Sequence, residues 1–394
     1  MISGERVLEL HAALSHAGRR LQRITAGERA AAIARAARTL LDDATPLGGA
    51  LRGELAASTG LSAQVIERGL RTTLQLFERE ALLALHHGYT GERRAQLAVL
   101  VLAGNVFSAA ARPLLLPLLC GTAVLAKASS ADDALPRLLK RALDQADERV
   151  GAACEVVTFS RADAALHDAL FSKASLISAY GSDETIAALA ARLPPSCRLI
   201  ARGHGLGAIF VAGEALGSEH AMRMVAARAA IDVAAYDQRG CLSPHAIFVQ
   251  RGAHSAREFA RALGDALAAI EVELPRGAVP EGAAAALLQW RGVAAALGEL
   301  HRGPTWAVAY EGDAPLRGSP GYRHVAVYDC DSRAALLERV APLGKHLKAL
   351  GVAGNAARRE LATLAPYVCA VGAMQAPPLD APLDGLHALA GYAG

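Results

Sequence analysis

The sequence contains no paired cysteines, no marked excess of either charge, few aromatic residues and very little lysine. Its six cysteines, at 120, 154, 197, 241, 330 and 369, stand singly without a CxxC pair. Neither a zinc cluster nor a dense disulfide framework is encoded, no metal is expected, and a reducing cytoplasm is the expected setting. Lys+Arg 41 against Asp+Glu 38 leaves a formal charge of +3, too little to recruit nucleic acid or an anionic membrane surface. Glu5 and Arg6 stand where a secretory leader would need an apolar run, so no signal peptide is expected. Aromatic content is 4% against 53% hydrophobic, which excludes disorder and describes a core of Ala, Leu and Val. Only five lysines occur, at 127, 140, 173, 345 and 348, beside 36 arginines, so any lysine in apolar surroundings is conspicuous. The 394 residues correspond to two or three domains at roughly 150 residues each.

Residues 96 to 126 carry one charge, Arg112, but Gly104, Asn105, Pro113, Pro117 and Gly121 divide them into short pieces. That punctuation predicts strand, helix and strand and argues against a membrane span. Residues 4 to 90 read as helices, with Ala31, Ile33, Ala34, Ala37, Leu40 and Leu41 recurring at three and four. From 96 onward, short apolar runs alternate with amphipathic segments. The runs are 97–102, 123–125, 156–159, 176–178 and 208–211, with helices near 132–147, 161–171 and 183–192. Runs apolar on both faces suit a parallel sheet covered on two sides. The expected fold class is α/β, with a Rossmann-like nucleotide-binding domain over 1–235. An α/β catalytic domain with a C-terminal tail is expected over 236–394, from runs at 246–249, 306–310 and 325–328.

Four segments could carry chemistry. Tyr236 to Pro244 form a polar, glycine-containing turn with Cys241 at its apex. Neighbouring N–H groups and Arg239 would favour the nucleophilic thiolate, and Gly240 would let a substrate approach; a half-buried loop cysteine is the alternative. Asn105 follows an apolar strand, where open α/β sheets bind ligands, and its amide could donate to an oxyanion or cap the next helix. Lys127 ends another apolar strand, so it either supplies a point charge to ribose or phosphate oxygens or lies on the surface. The Gly181-Ser182 turn aims helix N–H groups at an anion, against which Asp183 and Glu184 act. Gly203 to Gly207 have the wrong spacing for a dinucleotide fingerprint, and a strand is expected next. His204 either orients a group near the thiol or makes a structural hydrogen bond.

Taken in order, Gly104-Asn105, Lys127, Gly181-Ser182 and Gly240-Cys241 resemble the aldehyde dehydrogenase superfamily over about residues 20 to 250. The run Asp237 to Pro244, with Gly203-His204-Gly205 upstream and Val371 to Pro378 and Asp384-Gly385 downstream, resembles the LuxC-type long-chain acyl-CoA reductases. The resemblance implies that Asn105 and the Cys241 N–H form an oxyanion hole and that Cys241 is the nucleophile. It also implies that Lys127, Gly181 and Ser182 bind the cofactor; His204 and Gln238 are expected as supporting residues of the site. NADPH is the expected cofactor, with NADH the alternative, since Ser129-Ser130 would admit a 2′-phosphate and Asp132-Asp133 would repel it. The implied substrate is a long-chain acyl-CoA or another acyl thioester, reduced to the aldehyde. The alternatives are a substrate on an acyl carrier protein and a non-catalytic scaffold of the same fold. An acyl-transfer partner and a homo-oligomer are further expectations. Where hydrolytic relatives carry a water-activating Glu, this chain has Arg202-Gly203-His204. Gly318 to Tyr322 replace the later Glu-x-Phe-Gly-Pro motif, and Ala381 and Leu383 stand where an aromatic residue and a His are expected.

Overall fold

A computed structural model describes residues 2–89 and 95–392. Five helices, Gly4–Leu21, Ala26–Leu41, Pro46–Thr59, Ala63–Leu74 and Arg79–His87, open the chain. Their ends are written in local side chains. Thr25 and Glu28 form a reciprocal capping box, and Thr45 and Ser62 accept N–H groups of the turns they start. Residue 90, the last of the predicted helical lead-in, lies outside the described residues.

The strands are β1 (Leu97–Val101), β2 (Ala123–Ala128), β3 (Cys154–Thr158), β4 (Leu176–Tyr180), β5 (Arg198–Arg202), β6 (Leu206–Val211), β7 (Pro244–Val249), β8 (Glu299–Arg302), β9 (Ala307–Gly312), β10 (His324–Asp329), β11 (Leu347–Ala353) and β12 (Tyr367–Ala370). The first five form a parallel sheet in the order β3-β2-β1-β4-β5, and the remainder form a second sheet in the order β12-β11-β6-β7-β10-β9-β8. The first is a doubly wound order, whose ligand crevice lies beyond the carboxyl ends of the strands where the order reverses, between β1 and β4. Every residue of β1 and β2 is buried, which is why those strands read as unbroken apolar runs. Pro117 lies inside the helix Ala111–Leu119, and Gly121 at φ +83° turns the chain into β2. The span 96–126 is thus strand, helix and strand. Among the described residues no helix is long and apolar enough to cross a membrane.

The chain changes sheet between β5 and β6, ahead of the boundary placed near residue 235. Both sheets are parallel at this point and covered on two faces, so the run at 208–211 gives no sign of which it joins. The tail also departs from the expected division. Leu379, Ala388, Leu389 and Tyr392 return to the core of the first sheet, and Thr122 Oγ1 donates to the Tyr392 carbonyl at 3.1 Å. The same tail is held to the second half by Asp232, whose buried carboxylate accepts the N–H groups of Gly372 at 2.6 Å and Met374 at 2.9 Å.

Burial pushes Asp232 up to about 7 despite those two donors. Between about pH 4 and pH 7 the native state therefore holds a proton that the unfolded chain has released. Its contribution is complete below about pH 4 and is lost as pH rises through 7. Relative to Asp232→Asn, wild-type unfolding free energy should fall by on the order of a few kcal/mol between pH 5 and pH 8 in urea titrations. A difference that stays flat or grows with pH would contradict this.

Candidate active site

The turn that carries Cys241 is forced into shape by its surroundings. After the helix Glu219–Ala234, three successive residues, Tyr236, Asp237 and Gln238, adopt positive φ of 51°, 52° and 60°. This conformation costs a non-glycine residue about 1–2 kcal/mol and persists only where the fold over-determines it. The Tyr236 hydroxyl accepts from Ser108 Oγ at 2.9 Å. The Asp237 carboxylate accepts from Arg323 at 2.8 and 3.1 Å and from the Gly277 N–H at 3.0 Å. Gln238 donates to the carbonyls of Pro244 (2.7 Å) and His324 (2.9 Å) and accepts the His324 N–H (2.8 Å). Tyr322 and Arg323 are themselves at positive φ, and the Tyr322 N–H donates to the Asp237 carbonyl at 3.0 Å. Two strained turns therefore hold each other. Gly240 N–H to Ser243 Oγ (3.1 Å) and Ser243 N–H to the Gly240 carbonyl (3.0 Å) close the loop around Cys241.

The Asp237–Arg323 pair is almost wholly buried. Asp237→Ala would remove the fully buried carboxylate partner of Arg323 and leave the guanidinium with Glu271 alone, at 2.7 Å, and should cost about 3 kcal/mol in denaturant unfolding. The double variant Asp237→Ala/Arg323→Met should lose less than the sum of the single changes. Additive losses would show that the pair does not brace the turn.

The loop opens into a cleft of about 620 Å³ between the two sheets, lined in part by Asn105, Gly181, Ser182, His204, Gln238 and Cys241. Cys241 is an exposed residue of the cleft lining, and the protein packed around its sulfur desolvates the thiol. Burial and then Asp384 push the thiol up, while Lys348 pulls it back. The expected help from Arg239 is absent, because that guanidinium turns away to the carbonyls of Thr59 (3.0 Å) and Tyr236 (3.3 Å). Asn105 does not cap the following turn, Phe107–Ala110, which begins at Val106 without a side-chain cap. Its Nδ2 instead donates to the Arg239 carbonyl at 3.3 Å, which holds the amide against the cysteine loop.

The other sequence candidates take different places. Lys127 is buried at the end of β2, outside the cleft lining, with Nζ 5.5 Å from the Phe159 ring centroid. It has no hydrogen-bond or ion-pair partner among the described residues, and burial lowers its pKa. Gly181 and Ser182 reach the cleft, but the Ser182 side chain caps the helix Asp183–Ala190 by accepting the Thr185 N–H. Asp183 pairs with Lys345 at 2.7 Å. His204 is exposed in the cleft, 6.2 Å ring to ring from His346. Gln238 is a buried brace of the strained turn. Gly207 starts no phosphate loop: it belongs to β6, where a Cβ would collide with the Leu242 carbonyl. The glycine there admits close packing of the cysteine turn.

Sequence reasoning assigned no role to Arg112, Arg202, His245, Lys348, Gln375 and Asp384, all of which line the cleft. Lys348 Nζ meets Asp384 at 2.6 Å, and Gln375 Nε2 lies 3.4 Å from Ser243 Oγ. Desolvation lowers the His245 pKa, and its Nδ1 lies 3.3 Å from the Ser319 carbonyl. The scarcity of lysine was the available signal for Lys348, and the tail motif contained Gln375 and Asp384.

The family model described as acyl-CoA reductase (LuxC) matches residues 64–393. The chain belongs to this family. The LuxC match takes in the cysteine turn, Asn105 and the tail that closes over the cleft. No curated protein matches the sequence. Among solved structures, an NAD-dependent benzaldehyde dehydrogenase from Corynebacterium glutamicum superposes with a TM-score of 0.74 at 18% identity, covering 95% of this chain and 88% of that one. Aldehyde dehydrogenase 21 from Physcomitrella patens, solved with its reaction product succinate, gives 0.73 at 14% identity, with coverage of 94% and 82%. These structures establish that this LuxC-family chain has the aldehyde dehydrogenase fold.

Proposed function

We propose that the protein reduces a fatty acyl-CoA, or a related acyl thioester, to the aldehyde through an acyl group held on Cys241. The observation that carries this reading is the meeting of Cys241 and the Asn105 amide in one cleft, with the amide anchored to the backbone of the cysteine loop. The thiolate attacks the thioester carbonyl, a new C–S bond forms, and the CoA thiolate departs with the electron pair of the bond it leaves. Asn105 Nδ2 and the Cys241 N–H donate to the tetrahedral oxyanion; one such donor is worth roughly 3 kcal/mol of transition-state stabilisation.

The site offers little to activate water. Asp384, a carboxylate of the cleft lining, is engaged by Lys348 at 2.6 Å and Arg202 at 3.4 Å. An acyl-enzyme that is not hydrolysed suits a reductase.

A nicotinamide dinucleotide would take the crevice at the strand ends. Lys127, buried near the end of β2 outside the cleft lining and without a hydrogen-bond or ion-pair partner among the described residues, would meet its ribose or phosphate oxygens where the dinucleotide extends over β2, and the Gly181-Ser182 turn, which does line the cleft, would lie beneath it. Bound in reduced form, it supplies the hydride that takes the acyl group to the aldehyde level. NADPH is the first cofactor to test.

Incubation with acyl-CoA and NADPH should yield free CoA thiol and aldehyde in equal amounts, read with a thiol reagent and a hydrazine trap. The same acyl groups on acyl carrier protein would identify the preferred carrier. Formation of acid from aldehyde and NAD without dependence on CoA would overturn the reading.

A further inference from the structure

One end of the cleft holds two nearly buried arginines whose donors are only partly used. Arg202, at the end of β5, is 4% exposed; it donates through Nη1 to the Leu383 carbonyl and lies 3.4 Å from Asp384. Its Nε and Nη2 meet no hydrogen-bond partner among the described residues. Arg112, in the helix Ala111–Leu119, is 9% exposed and spends Nη2 on the carbonyls of Pro377 (2.5 Å) and Pro378 (2.6 Å). Its Nη1 is likewise unpaired. Tyr180, which pairs with Arg202 across β4 and β5, lines the same wall, and both guanidinium groups act on it electrostatically. Asp384 is already shared between Arg202 and Lys348, and Asp380 acts on Arg112 without forming an ion pair. Buried guanidinium donors are ordinarily satisfied, and a planar two-oxygen anion satisfies them best.

We propose that this end of the cleft is a carboxylate subsite that selects acyl groups ending in an acid, with Arg202 and Arg112 as its specificity-determining residues. The inference rests on the acyl-thioester reading above and deepens it. Its walls, Pro113, Pro366, Pro382 and Leu383, are compact and apolar, which suits the end of an acyl chain better than an adenosine diphosphate. β5 is an edge strand three places from β2 and Lys127, about 14 Å at normal strand spacing. The arginine pair is therefore separate from the proposed ribose contact at Lys127, whereas the Gly181 N–H donates to the Arg202 carbonyl at 3.3 Å, which is why NADPH binding is read in the same variants.

The test compares adipyl-CoA with hexanoyl-CoA, which share chain length and carrier. Wild type should favour adipyl-CoA by about tenfold or more in kcat/KM, expressed mainly in KM, and Arg202→Gln should bring the two near parity. Arg202→Lys should keep part of the preference. Because Arg112 also anchors the tail, Arg112→Gln is read only together with its unfolding curve. A readout independent of turnover is protection of Cys241 from iodoacetamide: free adipate should protect wild type but not Arg202→Gln, and hexanamide, which has the chain but no carboxylate, should protect neither. Equal use of both thioesters without adipate protection overturns the subsite. So does an Arg202→Gln variant that weakens NADPH binding while leaving the acyl preference intact. Adipate protection without turnover of either thioester supports the subsite and overturns the acyl-thioester reading instead.

Discussion

Replacing Cys241 with Ala should lower acyl-CoA reduction by at least about 10⁴-fold, because covalent capture has no substitute once the nucleophile is removed. NADPH binding, followed by fluorescence, should persist, since the sulfur belongs to the second sheet's loop while the crevice proposed for the dinucleotide is built from the first sheet. Mass spectrometry should find an acyl adduct on wild type and none on the variant. The sulfur's surroundings add a constraint. Burial and Asp384 hold the thiol above its ordinary value, so alkylation of Cys241 in the resting protein should keep climbing with pH beyond the range of a free cysteine. The thiols of Cys120, Cys154, Cys330 and Cys369 are buried and should label only on unfolding. Retained reduction by Cys241→Ala would remove the mechanism, and a flat alkylation profile above pH 7 would contradict the raised thiol.

Asn105→Ala should lower kcat by about 10²–10³-fold, the usual consequence of deleting one oxyanion donor. Stability should change little, because the amide is exposed and makes a single long bond, 3.3 Å, to the Arg239 carbonyl. Loss of that one bond is worth roughly 1 kcal/mol. A merely structural Asn would show the reverse pattern, with unfolding affected and kcat preserved. Stopped-flow release of CoA would locate the defect in acylation, where the oxyanion first forms.

Much of this site was legible because its chemistry lies in contiguous segments. Tyr236 to Pro244 displayed a cysteine in a glycine turn, and Asn105 followed an apolar strand whose fully buried run could belong only to a covered sheet. The first-sheet strands beginning at 97, 123, 154 and 176 were readable for the same reason. β5 was not: Arg198-Leu199-Ile200-Ala201-Arg202 carries charge at both ends, as an edge strand tolerates. β8, β11 and β12 were missed as well; β8 and β12 are the edges of their sheet, while Lys348 and Gly351 interrupt the apolar run of β11.

Arg239 is the instructive error. Its position two residues before the thiol suggested a neighbouring charge, yet three successive residues at positive φ redirect the chain and its guanidinium points to Thr59. Sequence distance says nothing about direction once the backbone leaves its ordinary conformations.

The amino-acid sequence by itself determined the α/β class and the family resemblance and singled out Cys241 as the candidate nucleophile, since each is carried by local pattern: apolar periodicity, turn residues and short motifs. Only the tertiary structure decided which strands share a sheet, that the tail folds back over the cleft, and that Asp384, Lys348, Arg202 and Arg112 line one cleft with the thiol. Those outcomes depend on side chains far apart in the chain meeting as two buried sheets close on each other, and burial then sets which charges are paired and which donors remain free.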